Sequence, residues 1–186
     1  MDLRVKKTYK SLVDAFEKLL LKDKYEHITI SMLCAEAMIR RTTFYKHFDD
    51  KGSFFKFYME QKRVELEQIC CANDIYLSIG AYHVHMLDSL MAFLSSNERL
   101  VDNLMKSSQS GALLDTLADF MAGNLTQVFK EKEGELSKDV ATELDYLGIA
   151  ISGATIHSIK RWWTCGHDAK DCSRVVHVTS ALLPLR

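Results

Sequence analysis

The stretch that decides the fold runs from Ile28 to Lys51, ITISMLCAEAMIRRTTFYKHFDDK. It reads as a short helix, a three- or four-residue break and a second short helix. Thr29 stands where an N-cap is wanted, its hydroxyl able to accept from a backbone N–H just inside the helix. Leu33, Cys34 and Ala37 supply a narrow apolar face at helical spacing. The break falls at Met38-Ile39-Arg40, where Ile39 is apolar and branched enough to plug the corner between two helices. The second helix, roughly Arg40 to His47, has Phe44 and Phe48 four apart as inward anchors, which leaves Arg41, Thr42, Tyr45 and Lys46 on the outward side. Two short helices meeting at a corner, the second basic and rich in hydroxyls, form a helix-turn-helix suited to a major groove.

The charge around this stretch is uneven. From Met1 to Arg63 there are 14 Lys and Arg against 9 Asp and Glu, a net of +5, which leaves 10 against 16, a net of −6, for the remainder. A basic head on an acidic body fits a chain that touches phosphate at one end, and the motif lies inside the basic part. At 186 residues the chain is long enough to bury a sizeable core, and 47% hydrophobic with 26% charged residues is a globular balance. The one proline is Pro184, so nothing breaks long helices, and strand-like alternation is absent. An all-α fold follows. MDLRVKKTYK lacks the apolar run of a secretory signal, and no stretch approaches a membrane span. Five irregularly spaced cysteines (Cys34, Cys70, Cys71, Cys165, Cys172) suit reduced thiols in a cytoplasmic chain.

Outward from the motif, Tyr9, Leu12, Val13, Phe16, Leu19 and Leu20 give a first helix, about Arg4 to Leu21, one broad apolar face that packs across the two short helices. Arg4, Lys6, Lys7 and Lys10 are either a solvated face or a basic arm on the DNA backbone. Asp49 or Asp50 caps a helix from Ser53 to about Asn73. Apolar periodicity then marks residues 79–95, 98–106, 110–131, 139–164 and 172–185, for nine helices in all, three in the head and six in the body. In the long late helix, Leu144, Leu147, Ile151 and Ala154 form one stripe and Ile149, Ile156, Ile159 and Trp163 a second, so it needs cover on more than one side. Together with 172–185 it is either central in a monomer or half of a two-fold four-helix interface.

The run I-T-I-x-x-L-C-x-x-A-x-I-x-R-x-T-F-Y-x-H-F-x-D-K resembles the DNA-binding signature of the TetR family of bacterial transcriptional regulators. Many relatives carry Gly where this chain has Met38, so the corner is expected without a left-handed glycine. The resemblance implies a TetR-like architecture, with a three-helix DNA-binding domain at 1–51 and a helical bundle at 52–186 for ligand binding and dimerisation. It implies double-stranded DNA as partner, a palindromic operator, a homodimer through residues 139–164 and 172–185, and a small-molecule effector acting on a repressor. Arg41 is the foremost base reader, because a guanidinium can bond both O6 and N7 of guanine. Ser31, Arg40, Thr42 and Lys46 are further base candidates. Thr29, Thr43, Tyr45, His47 and Lys51 match family positions on phosphate, and hydroxyl, imidazole and ammonium all donate to phosphate oxygens.

In the body, Tyr82, His83, Met86, Phe120, Tyr146 and His157 are candidates for lining an effector pocket, although methionines and aromatics at helical spacing more often make plain core. Cys165-x-His167-x4-Cys172-x4-His177 matches no standard zinc spacing, and no metal or cofactor is expected. The Cys70-Cys71 pair could sense oxidants. No phosphate-binding glycine loop, nucleophile elbow, metalloprotease or di-iron motif is present, which argues against an enzyme. Two alternatives keep the same fold: a regulator controlled by a partner protein, and a helical interaction module without DNA activity. The second leaves the outward Arg, Thr, Tyr and Lys surface without a purpose.

Overall fold

The computed structural model describes residues 3–70, 79–133, 138–166, 174, 175, 177–179 and 181. These residues form α1 (Leu3–Leu20), a 3-10 turn (Tyr25–His27), α2 (Ile30–Glu36), α3 (Arg41–Phe44), α4 (Lys51–Cys70), α5 (Ile79–Ser96), α6 (Glu98–Met105), α7 (Ser110–Glu133) and α8 (Lys138–Thr164), with no strand among them. The all-α expectation holds, and the described helix ends fall within a few residues of those the periodicity predicts; the end expected near Asn73 lies outside the described residues. The helix expected at 172–185 lies outside the described residues but for 174, 175, 177–179 and 181, and Cys71, His167 and Cys172 lie outside them altogether.

The chain divides into two compact units, Met1–Lys62 with Ser96–Leu113, and Arg63–Ser95 with Leu114–Arg186. The first is built around Phe16, which is fully buried. Its ring meets Tyr58, Phe54 and Tyr25 edge to face at centroid distances of 4.8, 5.4 and 6.2 Å. Edge-on pairing puts ring hydrogens against π faces and adds about 0.5–1.5 kcal/mol per pair to the area buried. Phe44 and Phe48 join the same cluster through Phe54, at 6.1 and 5.3 Å, so the inward anchors of the motif dock onto α4. At the rim, Lys62 Nζ reaches the Glu17 carboxylate at 2.6 Å and ties α4 to α1.

The helix α6 belongs to this first unit. Asn103 donates its side-chain amide to the Leu20 carbonyl, one of the acceptors left open at the end of α1. The Ser108 N–H donates to the Glu26 carboxylate at 2.5 Å, which holds that carboxyl below the usual range. Leu100, Val101 and Leu104 supply the buried face of α6.

In the second unit, α5 buries Tyr82, His83, Met86, Leu87, Leu90, Met91 and Leu94, one continuous stripe. The Tyr82 hydroxyl donates to Asn124 Oδ1 at 3.2 Å and joins α5 to α7. A Cβ on Gly148 would stand 2.8 Å from Thr126 Oγ1 and 3.2 Å from the Ala122 carbonyl, so α8 crosses α7 where only glycine fits. One face of α8 is buried, with Ile151, Ser152, Thr155, Ile156, Ile159, Trp162 and Trp163, whereas Tyr146 and Ile149 are 69% and 58% exposed. Ile149 therefore parts from the stripe that periodicity gave it, and Ile151 turns inward within its own chain.

Candidate nucleic-acid interface

The two motif helices are held by local bonds that the sequence can afford. Thr29 caps α2, its Oγ1 accepting from the Met32 N–H at 3.2 Å. At the far end, the Ile39 N–H donates to the Cys34 carbonyl at 3.0 Å and the Met38 N–H to Ala35 at 3.2 Å. That six-to-one and five-to-two pair is a Schellman stop, which needs a left-handed residue at its turn. Met38 takes that place, with φ of 54°. The corner is indeed made without glycine, and a methionine bears the strain of its Cβ instead. Its side chain is 93% exposed, so it offers no packing in return. Met38→Gly is therefore expected to stabilise the protein by about 1 kcal/mol, measurable as a raised midpoint in urea unfolding. An unchanged or lowered midpoint would show that the left-handed turn costs methionine nothing here.

The α-helical part of α3 spans Arg41–Phe44, shorter than periodicity predicts. Beyond it, His47 and Phe48 N–H groups both return to the Phe44 carbonyl, at 2.9 and 3.0 Å, and the tightened turn brings Phe48 into the aromatic cluster. With Phe44 and Phe48 inside, Arg40, Arg41, Thr42, Tyr45 and Lys46 are exposed and Thr43 and His47 half-buried. The Arg41 guanidinium donates to Ser31 Oγ, which brings two residues ten apart in sequence into one polar patch across α2 and α3. Tyr9 of α1 flanks His47, edge-on at 5.2 Å, with its hydroxyl 3.5 Å from Nδ1. Sequence reading put Tyr9 on the apolar face of α1, and nothing local signals its contact with a residue 38 positions away.

Lys51 differs from the other cations of the patch. Its ammonium donates to the Tyr25 and Ile28 carbonyls at 2.9 and 2.8 Å, with the Glu26 carbonyl at 3.5 Å, and lies 4.1 Å from the centre of the Tyr25 ring. Burial pushes its pKa below the ordinary lysine value. It fastens the loop before α2 to the start of α4. That start is capped reciprocally: Asp50 Oδ1 accepts from the Ser53 N–H at 2.7 Å, and Ser53 Oγ accepts from the Asp50 N–H at 3.1 Å. The Ser53 N–H holds the Asp50 carboxyl below its usual range.

The residues considered for an effector site fall into two groups. Tyr82, His83, Met86 and Phe120 are buried within the second unit. Tyr146 and His157 are exposed on α8, His157 with Nδ1 2.9 Å from the Gly153 carbonyl, so they do not join that interior. Among the described residues no group of three or more His, Cys, Asp or Glu is arranged to hold a metal. No described helix is long and apolar enough to cross a membrane.

A helix-turn-helix head with an outward basic face is followed by a helical body. No protein-family model and no curated protein matches the sequence. Solved structures do match the fold. A TetR transcriptional regulator from Streptococcus agalactiae superposes with a TM-score of 0.63 at 18% identity, over 98% of this chain and 96% of its own. The dihydroxyacetone kinase operon activator DhaS gives 0.62 at 20% identity, over 94% of both chains. A TetR-family regulator from Haemophilus influenzae gives 0.55 at 13% identity, over 97% and 98%. The chain has the fold of TetR-family transcriptional regulators along nearly its whole length.

Proposed function

We propose that this chain is a TetR-family regulator that binds a palindromic operator as a homodimer, represses transcription there, and releases DNA when a small molecule enters its second unit. The observation that carries the reading is the division of α3 and the turn that follows it. Phe44 and Phe48 are buried, while Arg41, Thr42, Tyr45 and Lys46 stand in solvent, Arg41 against Ser31. A short helix that spends its apolar residues on the core and its donors on solvent is built to enter a groove.

In this reading Arg41 reads guanine, with Ser31, Arg40, Thr42 and Lys46 as further base contacts, and Ser31 holds the guanidinium in place. Thr29, Thr43, Tyr45 and His47 donate to phosphate oxygens. Lys51 contributes its charge near the backbone while its donors keep the loop in place. The domains divide the work as 1–51 for DNA and 52–186 for dimer and effector. Dimerisation runs through residues 139–164 and 172–185, and its support is the exposed apolar side of α8 around Tyr146 and Ile149. Gly153 stands beside them with open space around its absent Cβ, room for a second helix to approach closely.

The test is a gel shift on DNA flanking the chain's own gene, with unrelated competitor. Specific retention is expected, and retention that competitor abolishes at every site would leave only nonspecific binding. Arg41→Ala is expected to lose about 1–3 kcal/mol on the specific site and to relax preference at one base pair. Unchanged preference in a binding-site selection would remove Arg41 from base reading. A transcription assay on the same promoter reads the sign of regulation.

A further inference from the structure

His83 sits in the buried stripe of α5, wholly inaccessible to solvent, and neither of its ring nitrogens has a hydrogen-bond partner. A neutral imidazole carries one N–H donor and one acceptor lone pair. Native interiors rarely leave both unmet, because the water lost on burial is not replaced. Ser152 on α8 is a second such group in the same unit, 1% exposed with an unpartnered Oγ. Its neighbours on α8 behave differently: Thr155 and Ser158 return their hydroxyls to the carbonyls four residues back, at 2.8 and 2.9 Å. No Lys, Arg, Asp or Glu is buried among the described residues of this unit.

We propose that His83 is the polar anchor of a ligand site inside the second unit, and that its ligand is a small uncharged molecule with an apolar body and a hydroxyl or carbonyl group. The inference deepens the effector reading above and rests on it for its regulatory meaning. An ionised ligand would lose its hydration in an interior that offers it no opposite charge. A pure hydrocarbon would leave the imidazole as dry as before. A neutral hydroxyl or carbonyl meets one ring nitrogen, while the stripe that holds His83, with Met86 and Leu87, supplies apolar and polarizable contact. Burial holds the imidazole pKa down to about 4, so at neutral pH the ring presents a donor and an acceptor rather than a cation.

Phenol is the probe, with toluene as the same ring without the hydroxyl and benzoate as the same ring with a charge. The full-length protein is heated with each, and long-range 1H–15N spectra follow the His83 ring. In the wild type, phenol is expected to raise Tm with concentration, to move the His83 nitrogens, and to bind about tenfold or more tightly than toluene or benzoate. His83→Leu should lose the preference for phenol over toluene, and His83→Gln, which keeps a donor and an acceptor, should retain it. Equal affinity for phenol and toluene in the wild type overturns the proposal. So does an equal phenol response in His83→Leu, or cross-relaxation showing ordered water on the ring that phenol does not displace. A gel shift run with and without phenol separates the two readings. Phenol bound at His83 with DNA affinity unchanged leaves the site standing and removes its regulatory meaning. Specific DNA binding without any phenol binding removes the site and leaves the DNA reading intact.

Discussion

If α8 makes the proposed dimer, Ile149→Glu is expected to give a folded monomer with weakened binding to the proposed operator. The side chain is 58% exposed within its own chain, so a glutamate there keeps its water and changes monomer stability by about 0.5 kcal/mol or less. In the proposed two-fold seam the glutamate would be stripped of water against an apolar partner surface, with no opposite charge supplied. That costs several kcal/mol, enough to weaken dimerisation by about 100-fold or more. Operator affinity falls with it, because paired half-sites about 34 Å apart are gripped only by two linked heads. Sedimentation at micromolar concentration, beside a gel shift, measures both. The control is Ile151→Glu, only 3% exposed in the chain itself, which should unfold the second unit rather than split a dimer. A dimeric Ile149→Glu protein would remove this face of α8 from the interface.

Acid is expected to weaken the wild type through His83 as pH falls below 6.5. The folded-state pKa is about 4 against 6.5 for the free side chain, so between these values the unfolded chain binds the extra proton. Stability from this group is present above pH 6.5 and declines as pH falls towards 4, by about 3 kcal/mol in all. Asp23, Glu26 and Asp50 act lower. Their folded pKa values are depressed below 3.8, 4.5 and 3.8, so what they contribute is lost only as pH falls below those values. His83→Leu removes an unsatisfied buried imidazole, and it should be more stable than wild type at pH 7 by about 1–3 kcal/mol, with a further gain at pH 4.5. Urea unfolding of both proteins at pH 7, 5.5 and 4.5 gives the comparison. Parallel stability curves would show that the ring does not titrate as a buried, unpaired base.

The head was legible because its determinants are local. A cap residue, two phenylalanines four apart and a cluster of donors on the opposite side all fall within 24 residues, Ile28 to Lys51. The sign of φ at Met38 was not, since it follows from closing the Schellman bonds around a residue with no preference for that region. The carbonyl partners of Lys51 lie 23 to 26 residues before it, and periodicity carries no record of such a contact. In α8 the two apolar stripes were visible, but the pattern could not show which residues their own chain covers; burial separates Ile149 from Ile151. The sequence marks His83 only as one of several pocket candidates. What distinguishes it, two ring nitrogens without partners, exists only after packing.

The grouping of α6 with the head has a consequence for how the protein is made. The first unit needs both Met1–Lys62 and Ser96–Leu113. When Lys62 leaves the ribosome, the Leu20 carbonyl and the Glu26 carboxylate still lack Asn103 and Ser108. About fifty further residues must follow, roughly 3–10 s of synthesis. During that interval the head has its aromatic centre but not its last helix, and the intervening chain, through α5, must find cover of its own. A head fragment cut after Lys62 would preserve that unfinished state. One that joins Lys62 to Ser96 through a short flexible linker would complete it.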